Sequence, residues 1–195
     1  RLKPTLDVVG VGVKRIGTAL SSAPAAAVSW KIDPTHSFVQ FEVVQLGLIP
    51  FPGRFKQFSA KFDYVQDDIE KSSVDVRIPI ECLETDDGLM NEILQGEQFF
   101  DVGNFQEMRF ISTKITLTGA NTGVIDGELT MKGETWPIQM TATFTHEAKA
   151  PFLGTPRIGV IASATIDRVK WGLGAWRPFV DREVSIQIAF EATPN

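Results

Sequence analysis

Residues that usually build metal sites and disulfides are scarce in this sequence. It contains one cysteine, two histidines and a single tyrosine among 195 residues. One cysteine, Cys82, cannot form an internal disulfide, and one cysteine with two histidines is a poor ligand set for zinc. We therefore predict no metal site and no resident cofactor.

A basic surface and long apolar runs are also missing. The 19 Lys and Arg residues are outnumbered by 24 Asp and Glu, which gives a net charge of −5. This balance argues against nucleic acid as a partner, since binding it requires cations that displace phosphate counterions. No run approaches the 18 apolar residues of a membrane-spanning helix. With 43% apolar residues, the chain has the composition of a globular domain.

Catalytic motifs are likewise absent from the sequence. It has no Gly-x-Ser-x-Gly, no phosphate-binding loop and no His-Glu-x-x-His. His36 and His146 lie at strand ends, where hydrogen bonding explains them better than catalysis, and Cys82 is expected to pack as a small hydrophobe. We predict that the protein is not an enzyme and has no catalytic residues.

Alternation with period two dominates the chain from Trp30 onward. Because successive strand side chains point to opposite faces, each run predicts a strand with one apolar face. The clearest runs span residues 39–43, 58–64, 74–80, 125–131, 136–144, 158–166 and 184–190. Another strand, Met108–Thr118, changes parity near Ser112, which indicates a β-bulge.

About eight short strands with turns such as Asn121-Thr122-Gly123 and Lys132-Gly133 predict an all-β sandwich or barrel. One helix near residues 86–95 interrupts them, with Thr85 as its N-cap, an apolar stripe at Leu89, Ile93 and Leu94, and Gly96 at its end. This helix either buttresses one end of the barrel, which we favour, or forms a movable lid. Periodicity alone leaves open whether the barrel is filled by side chains or encloses a cavity.

Residues 1–27 differ from the rest of the chain. Valines surround Gly10 and Gly12, and Ala25-Ala26-Ala27 fits the small-residue cleavage site of an export signal, although Lys14 and Arg15 interrupt its apolar core. The segment is either a relic of export or an N-terminal arm. Residues 28–195 form the predicted domain.

An ordered set of short blocks resembles the YceI-like family over residues 28–193. The blocks are Trp30–Ser37 with Val39 and Phe41, Leu46-Gly47, Gly53-Arg54-Phe55, Phe99–Val102, Phe110–Thr113, Gly127–Thr130 with Gly133, Ile166–Arg168 with Trp171-Gly172, and Val184–Ala192. The resemblance implies an eight-stranded antiparallel, lipocalin-like barrel that holds a long isoprenoid or similar lipid. It also implies a bacterial protein that is exported to the periplasm.

Two positions depart from the family pattern. Gln45 stands where the family commonly has a histidine before Leu-Gly, and residues 88–92, which read Gly-Leu-Met-Asn-Glu, stand where the family commonly has an Arg-Asp and a His-Leu. The apolar tail of a ligand is therefore more predictable than its head group.

The leading hypothesis is a non-enzymatic protein that binds or shuttles an isoprenoid or quinone-like lipid. The predicted wall residues share the inward parity, and they are Phe41, Phe58, Phe62, Val76, Ile78, Trp136, Met140, Phe144 and Ile188. The alternative is a filled barrel that docks to a membrane complex through residues 1–27. A homodimer is also compatible with the sequence, whereas lipid turnover has little support.

Overall fold

The computed structural model describes residues 26–145, 148–149 and 154–195, and side chains for all of these except 148–149. The expectations for residues 1–25 and for His146 lie outside the described residues. Within the described ranges the chain forms eleven strands and one α-helix, with three short 3₁₀ helices. No helix in these ranges combines the length and the apolar character that a bilayer crossing requires.

The strands and the helix follow one another in a simple order along the chain. The strands are β1 Val28–Gln45, β2 Ile49–Phe55, β3 Ser59–Tyr64, β4 Ser73–Pro79, β5 Leu83–Glu84, β6 Glu107–Leu117, β7 Thr122–Met131, β8 Glu134–Phe144, β9 Ala148–Lys149, β10 Pro156–Asp167 and β11 Val180–Pro194. The helix α1, Gly88–Gln95, follows β5. The 3₁₀ helices are Ile69–Lys71, Ile80–Cys82 and Arg168–Trp171.

Eight of these strands close into an antiparallel barrel, as the sequence predicts. Around the barrel the order is β1, β3, β4, β6, β7, β8, β10 and β11, and β11 returns to pair with β1. Closure pairs the two edges that an open sheet would leave free. The predicted bulge is confirmed, because the register of β6 against β7 shifts between Ser112 and Lys114.

The first strand is much longer than its alternation indicates. One edge of β1 pairs with β11, while the other edge pairs first with β3 and then with β2. Strand β2 contains Pro50, Pro52 and Gly53, a composition that hides a strand from pattern analysis. It pairs with only the second half of β1, from Val39 to Gln45, and with the two-residue β5.

The helix begins later than predicted. Asp87 is its N-cap, and its carboxylate accepts hydrogen bonds from the backbone N–H groups of Leu89 and Met90. Thr85 is buried at the end of β5, where its hydroxyl donates to Asn91 Oδ1 over 2.7 Å, so it cannot serve as the cap. Gly96 ends the helix as expected.

Candidate functional site: an apolar cavity at one end of the barrel

The barrel interior contains two cavities that lie one behind the other. The larger, about 140 Å³, lies at the end of the barrel that carries α1 and the β1–β2 turn. The smaller, about 80 Å³, lies deeper among β3, β4, β6, β7, β8, β10 and β11. We call them the outer and the inner chamber. The interior is thus neither a solid plug nor one open tunnel.

Both chambers are lined almost entirely by apolar side chains. In the outer chamber the exceptions are Gln40, Gln45 and Arg168, and in the inner chamber the exception is Gln187. Concave, apolar sites with few polar groups are typical of small-molecule and lipid binding. The site offers no nucleophile–base pair, so its geometry is suited to binding.

The outer chamber opens at a mouth of partly exposed residues. Gln45, Phe51, Met90 and Trp176 line the chamber and are themselves only partly buried or exposed. Around them lies a ring of apolar side chains that are each 64–77% exposed. This mouth rim consists of Leu46, Leu48, Ile49, Leu89 and Phe179. The backbone N–H of Leu46 donates to the Phe179 carbonyl over 2.7 Å, which joins the two sides of the rim.

Helix α1 forms one wall of the mouth. Met90 and Leu94, four residues apart on one face, point into the outer chamber. The predicted stripe is therefore partly wrong, because Leu89 is 66% exposed and Met90 takes the inward position. Met90 is well suited to a variable wall, because its unbranched side chain adapts to irregular space.

A buried arginine organises the opposite wall of the mouth. Arg168 is 5% exposed, and its guanidinium donates to the backbone carbonyls of Leu173, Ala175, Val180 and Asp181. Burial lowers the pKa of Arg168 from its ordinary range. Every described partner is a carbonyl dipole and none is a carboxylate. The arginine therefore fixes the segment from which Leu173, Trp176 and Val180 reach the chamber.

The end of the barrel beyond the inner chamber is packed with aromatic rings. Trp30, Phe62, Tyr64 and Phe190 are each 7% exposed or less. Their ring centroids are 5.3 Å apart for Trp30–Tyr64, 5.8 Å for Phe62–Tyr64 and 5.6 Å for Phe62–Phe190. We call this group the aromatic plug. Rings at such distances stabilise each other beyond simple burial.

An ionic cluster lies outside the barrel wall on the plug side. Asp33 accepts from His36 Nδ1 at 3.0 Å and from Arg157 at 3.3 Å, and Arg157 also donates to Glu191 at 2.9 Å. The hydrogen bond from His36 is the main reason that the pKa of Asp33 falls to about 2. The same bond raises the pKa of His36. Asp33, His36 and Glu191 lie close enough to share an ion, but Arg157 already supplies a positive charge to both carboxylates.

Six of the nine predicted wall residues lie at the chambers. Phe41 lines the outer chamber, Ile78 lines both, and Phe62, Val76, Met140 and Ile188 line the inner one. The ligand role of these residues stays a prediction.

The other three predicted wall residues lie elsewhere. Trp136 is 40% exposed at the start of β8, with Lys170 Nζ 5.6 Å from its ring centroid. Phe144 is buried against Gly123, and Phe58 packs on the core between β2 and β3 without reaching either chamber. Alternation assigns a face of the sheet but not a height along the barrel, which is why Trp136 fits the pattern and still misses the interior.

Sequence reasoning missed most of the mouth. Met90, Leu173 and Trp176 lie in the helix or in the segment after the third 3₁₀ helix, where no period-two pattern exists, and Val180 begins β11 four residues before the predicted run. The signals near this region were the family block Ile166–Arg168 with Trp171-Gly172 and the predicted helix stripe, which includes Leu94.

With a closed eight-stranded barrel and apolar cavities inside it, the protein belongs to the class of small antiparallel β-barrels that enclose an interior space. The family can be stated more narrowly. A profile described as YceI-like domain matches residues 30–192, and the chain belongs to this family. The resemblance predicted from the sequence is confirmed.

Curated relatives and solved structures agree with this assignment. A UPF0312 protein of Pseudomonas putida strain GB-1 is 33% identical over 178 residues, covering 88% of this chain and 92% of the relative. BcnA of Burkholderia cenocepacia has a TM-score of 0.76 at 23% identity, covering 83% of this chain and 99% of that one. A polyisoprenoid binding domain from Saccharophagus degradans has a TM-score of 0.69 at 13% identity, covering 86% and 99%, and so shares the fold.

Proposed function

We propose that this protein binds an isoprenoid-type lipid by taking the end of its tail into the outer chamber through the mouth. The observation that carries the proposal is an almost wholly apolar chamber that opens inside an apolar rim. A neighbour of the same fold is described as polyisoprenoid-binding, which supports the same ligand class. The protein acts as a carrier and performs no chemistry on the lipid.

The chamber volume defines how much of the tail enters. An engineered apolar cavity of about 150 Å³ accommodates benzene, so a chamber of about 140 Å³ has room for about one five-carbon isoprene unit. Burying a methylene contributes about 0.8 kcal/mol, so one unit contributes roughly 3–4 kcal/mol before ordering costs. The apolar rim then shields further carbons of the tail outside the chamber.

The head group remains at the mouth in this arrangement. Gln45 is a partly buried polar side chain that lines the outer chamber beside the β1–β2 turn, and either a quinone ring or a prenyl alcohol offers oxygen atoms to it. We propose the quinone as one member of the class, and the periplasm as the compartment where such a carrier works. Docking to a membrane complex through residues 1–27, and formation of a homodimer, stay predictions.

Two neighbouring valines provide a matched test. Val43 lines the outer chamber, whereas Val44, the next residue of β1, is half-buried and lines neither chamber. We expect Val43→Phe to weaken binding of farnesol at least tenfold, because the added ring occupies the chamber. Val44→Phe should bind farnesol like the unaltered protein.

Displacement of a fluorescent apolar probe by farnesol measures both variants, and mass spectrometry of a solvent extract identifies any lipid that copurifies. Equal affinities for the two variants would place the ligand elsewhere. An empty extract together with no farnesol binding would overturn the proposed function.

A further inference from the structure

The two chambers are separated by a small set of side chains. Four residues line both chambers and therefore lie between them. We call this set the collar, and it consists of Val39, Ile78, Leu129 and Ile186. All four are aliphatic, and the first three are at most 8% exposed.

Barrel topology explains why these four residues meet. Val39 on β1 and Ile186 on β11 belong to adjacent strands at the point where the barrel closes. Leu129 lies on β7, four strands from β1 in a ring of eight, so it projects from the opposite wall. Ile78 on β4 flanks it, since β6 alone lies between β4 and β7. Side chains from opposite walls of a barrel this narrow fill its cross-section.

The collar limits the affinity that a longer isoprenoid tail can add. The outer chamber takes about one isoprene unit, and the inner chamber, at about 80 Å³, is smaller still. A second unit can reach the inner chamber only after collar side chains leave their packed positions. Close-packed interiors resist such displacement. Each unit beyond the first therefore adds less affinity than the first one does.

We infer that the collar limits how much of a tail enters the barrel, so that this protein distinguishes its ligands by the final isoprene unit and the head group more than by total chain length. The inference rests on the proposed function and names a specificity determinant for it. Beyond the inner chamber the rings of the aromatic plug pack against one another, so we expect the tail to find no further path there. The predicted preference is for any prenyl lipid with a free tail end, whatever the number of units outside the barrel.

A series of prenyl alcohols tests the inference directly. Prenol, geraniol, farnesol and geranylgeraniol contain one to four isoprene units and share a hydroxyl head. For the unaltered protein we expect each unit after the first to raise affinity less than threefold. In Ile78→Ala, which shortens a collar side chain, we expect the second unit to raise affinity at least tenfold, because the chambers then join.

Ile125→Ala is the matched control for this experiment. Ile125 is as buried as Ile78 and lines only the inner chamber, so its truncation enlarges that chamber behind an intact collar. We expect its length profile to match that of the unaltered protein. If Ile78→Ala fails to fold, Ile78→Val removes only one methylene and should shift the profile in the same direction.

Two results would overturn the inference while leaving lipid binding intact. One is a steady, equal gain with every unit in the unaltered protein. The other is an identical profile in Ile78→Ala, Ile78→Val and Ile125→Ala. Absence of binding for every alcohol in the series would instead overturn the proposed function together with the collar.

Discussion

The two ends of the barrel are built from different kinds of side chain. At the plug end, four aromatic rings pack edge to face and tilted, and an ionic cluster links β1, β10 and β11 outside them. At the mouth, the rim is exposed and the chamber wall includes Met90 and Leu94 from a short helix. Closed packing at one end stabilises the barrel, so the other end is free to leave a chamber open.

Two tryptophans offer the sharpest test of this difference. Trp30 at the plug packs on Tyr64 with centroids 5.3 Å apart, and Trp176 at the mouth packs on Phe99 at 5.2 Å. Trp30 is 5% exposed but Trp176 is 40% exposed. We expect Trp30→Ala to lower the free energy of unfolding by about 3–5 kcal/mol and Trp176→Ala by about 1 kcal/mol, as measured by urea denaturation.

For ligand binding we expect the opposite order, with the larger effect from Trp176→Ala. Trp176 lines the outer chamber, so its truncation should weaken farnesol binding, whereas folded Trp30→Ala should bind normally. Similar losses of stability in both variants would contradict the proposed division between the two ends.

Two glycines, one in the packed interior and one beside the outer chamber, test the same difference with smaller expected effects on stability. A methyl group on Gly127 would overlap the Phe110 ring and the carbonyl oxygen of Ile111, which is backbone and cannot move away. A methyl on Gly53 would overlap only the Phe41 ring, and that ring borders the outer chamber. We expect Gly127→Ala to cost about 1–3 kcal/mol and Gly53→Ala less than about 1 kcal/mol.

For farnesol binding we expect the larger effect from Gly53→Ala. In Gly53→Ala the displaced Phe41 ring should turn into the outer chamber and reduce farnesol affinity. Gly127→Ala should leave the affinity of the folded protein unchanged. If Gly53→Ala proved the more destabilising of the two variants, the mouth would be as rigidly packed as the interior.

The smallest expected effect concerns pH at the plug end. The pKa of His36 is raised from 6.5 by its hydrogen bond to Asp33, so its contribution is present below pH 6.5 and is lost as pH rises through the raised value. The pKa of Asp33 is lowered from 3.8 to about 2, so its contribution is present above pH 3.8 and is lost as pH falls through 2. The pair therefore stabilises the fold most at mildly acidic pH.

Comparing His36→Gln with the unaltered protein measures this contribution. The difference in urea midpoint should be largest near about pH 5 and disappear near about pH 9. The magnitude should be small, since the His36 side chain is 58% exposed. A difference that stayed constant between these pH values would exclude the charged pair as its cause.

Much of the barrel could be predicted from local pattern. Alternation located the strands because one face of each is buried and the other is wet, and the parity change at Ser112 located the bulge. Lys132-Gly133 was predicted as a turn, and both residues have positive φ, as a two-residue hairpin turn needs. Strand β2 escaped detection because Pro50, Pro52 and Gly53 interrupt any alternation.

The site was less predictable than the strands that carry it. Phe41 and Trp136 share inward parity, yet Phe41 lines the outer chamber while Trp136 lies exposed beside Lys170. Thr85 and Asp87 are both good caps, and burial of the Thr85 hydroxyl beside Asn91 decided between them. Such choices depend on how the strands and the helix pack together, which a local pattern does not contain.

The sequence by itself determined the eight barrel strands, the parity of their inward faces and the family, because each of these depends on residues close together or on their order along the chain. Only the tertiary structure decided that the interior is divided into two chambers by a collar and closed at one end by aromatic rings. Val39 and Leu129 are ninety positions apart. They oppose each other only because closure of the barrel places β1 and β7 on opposite walls at one height.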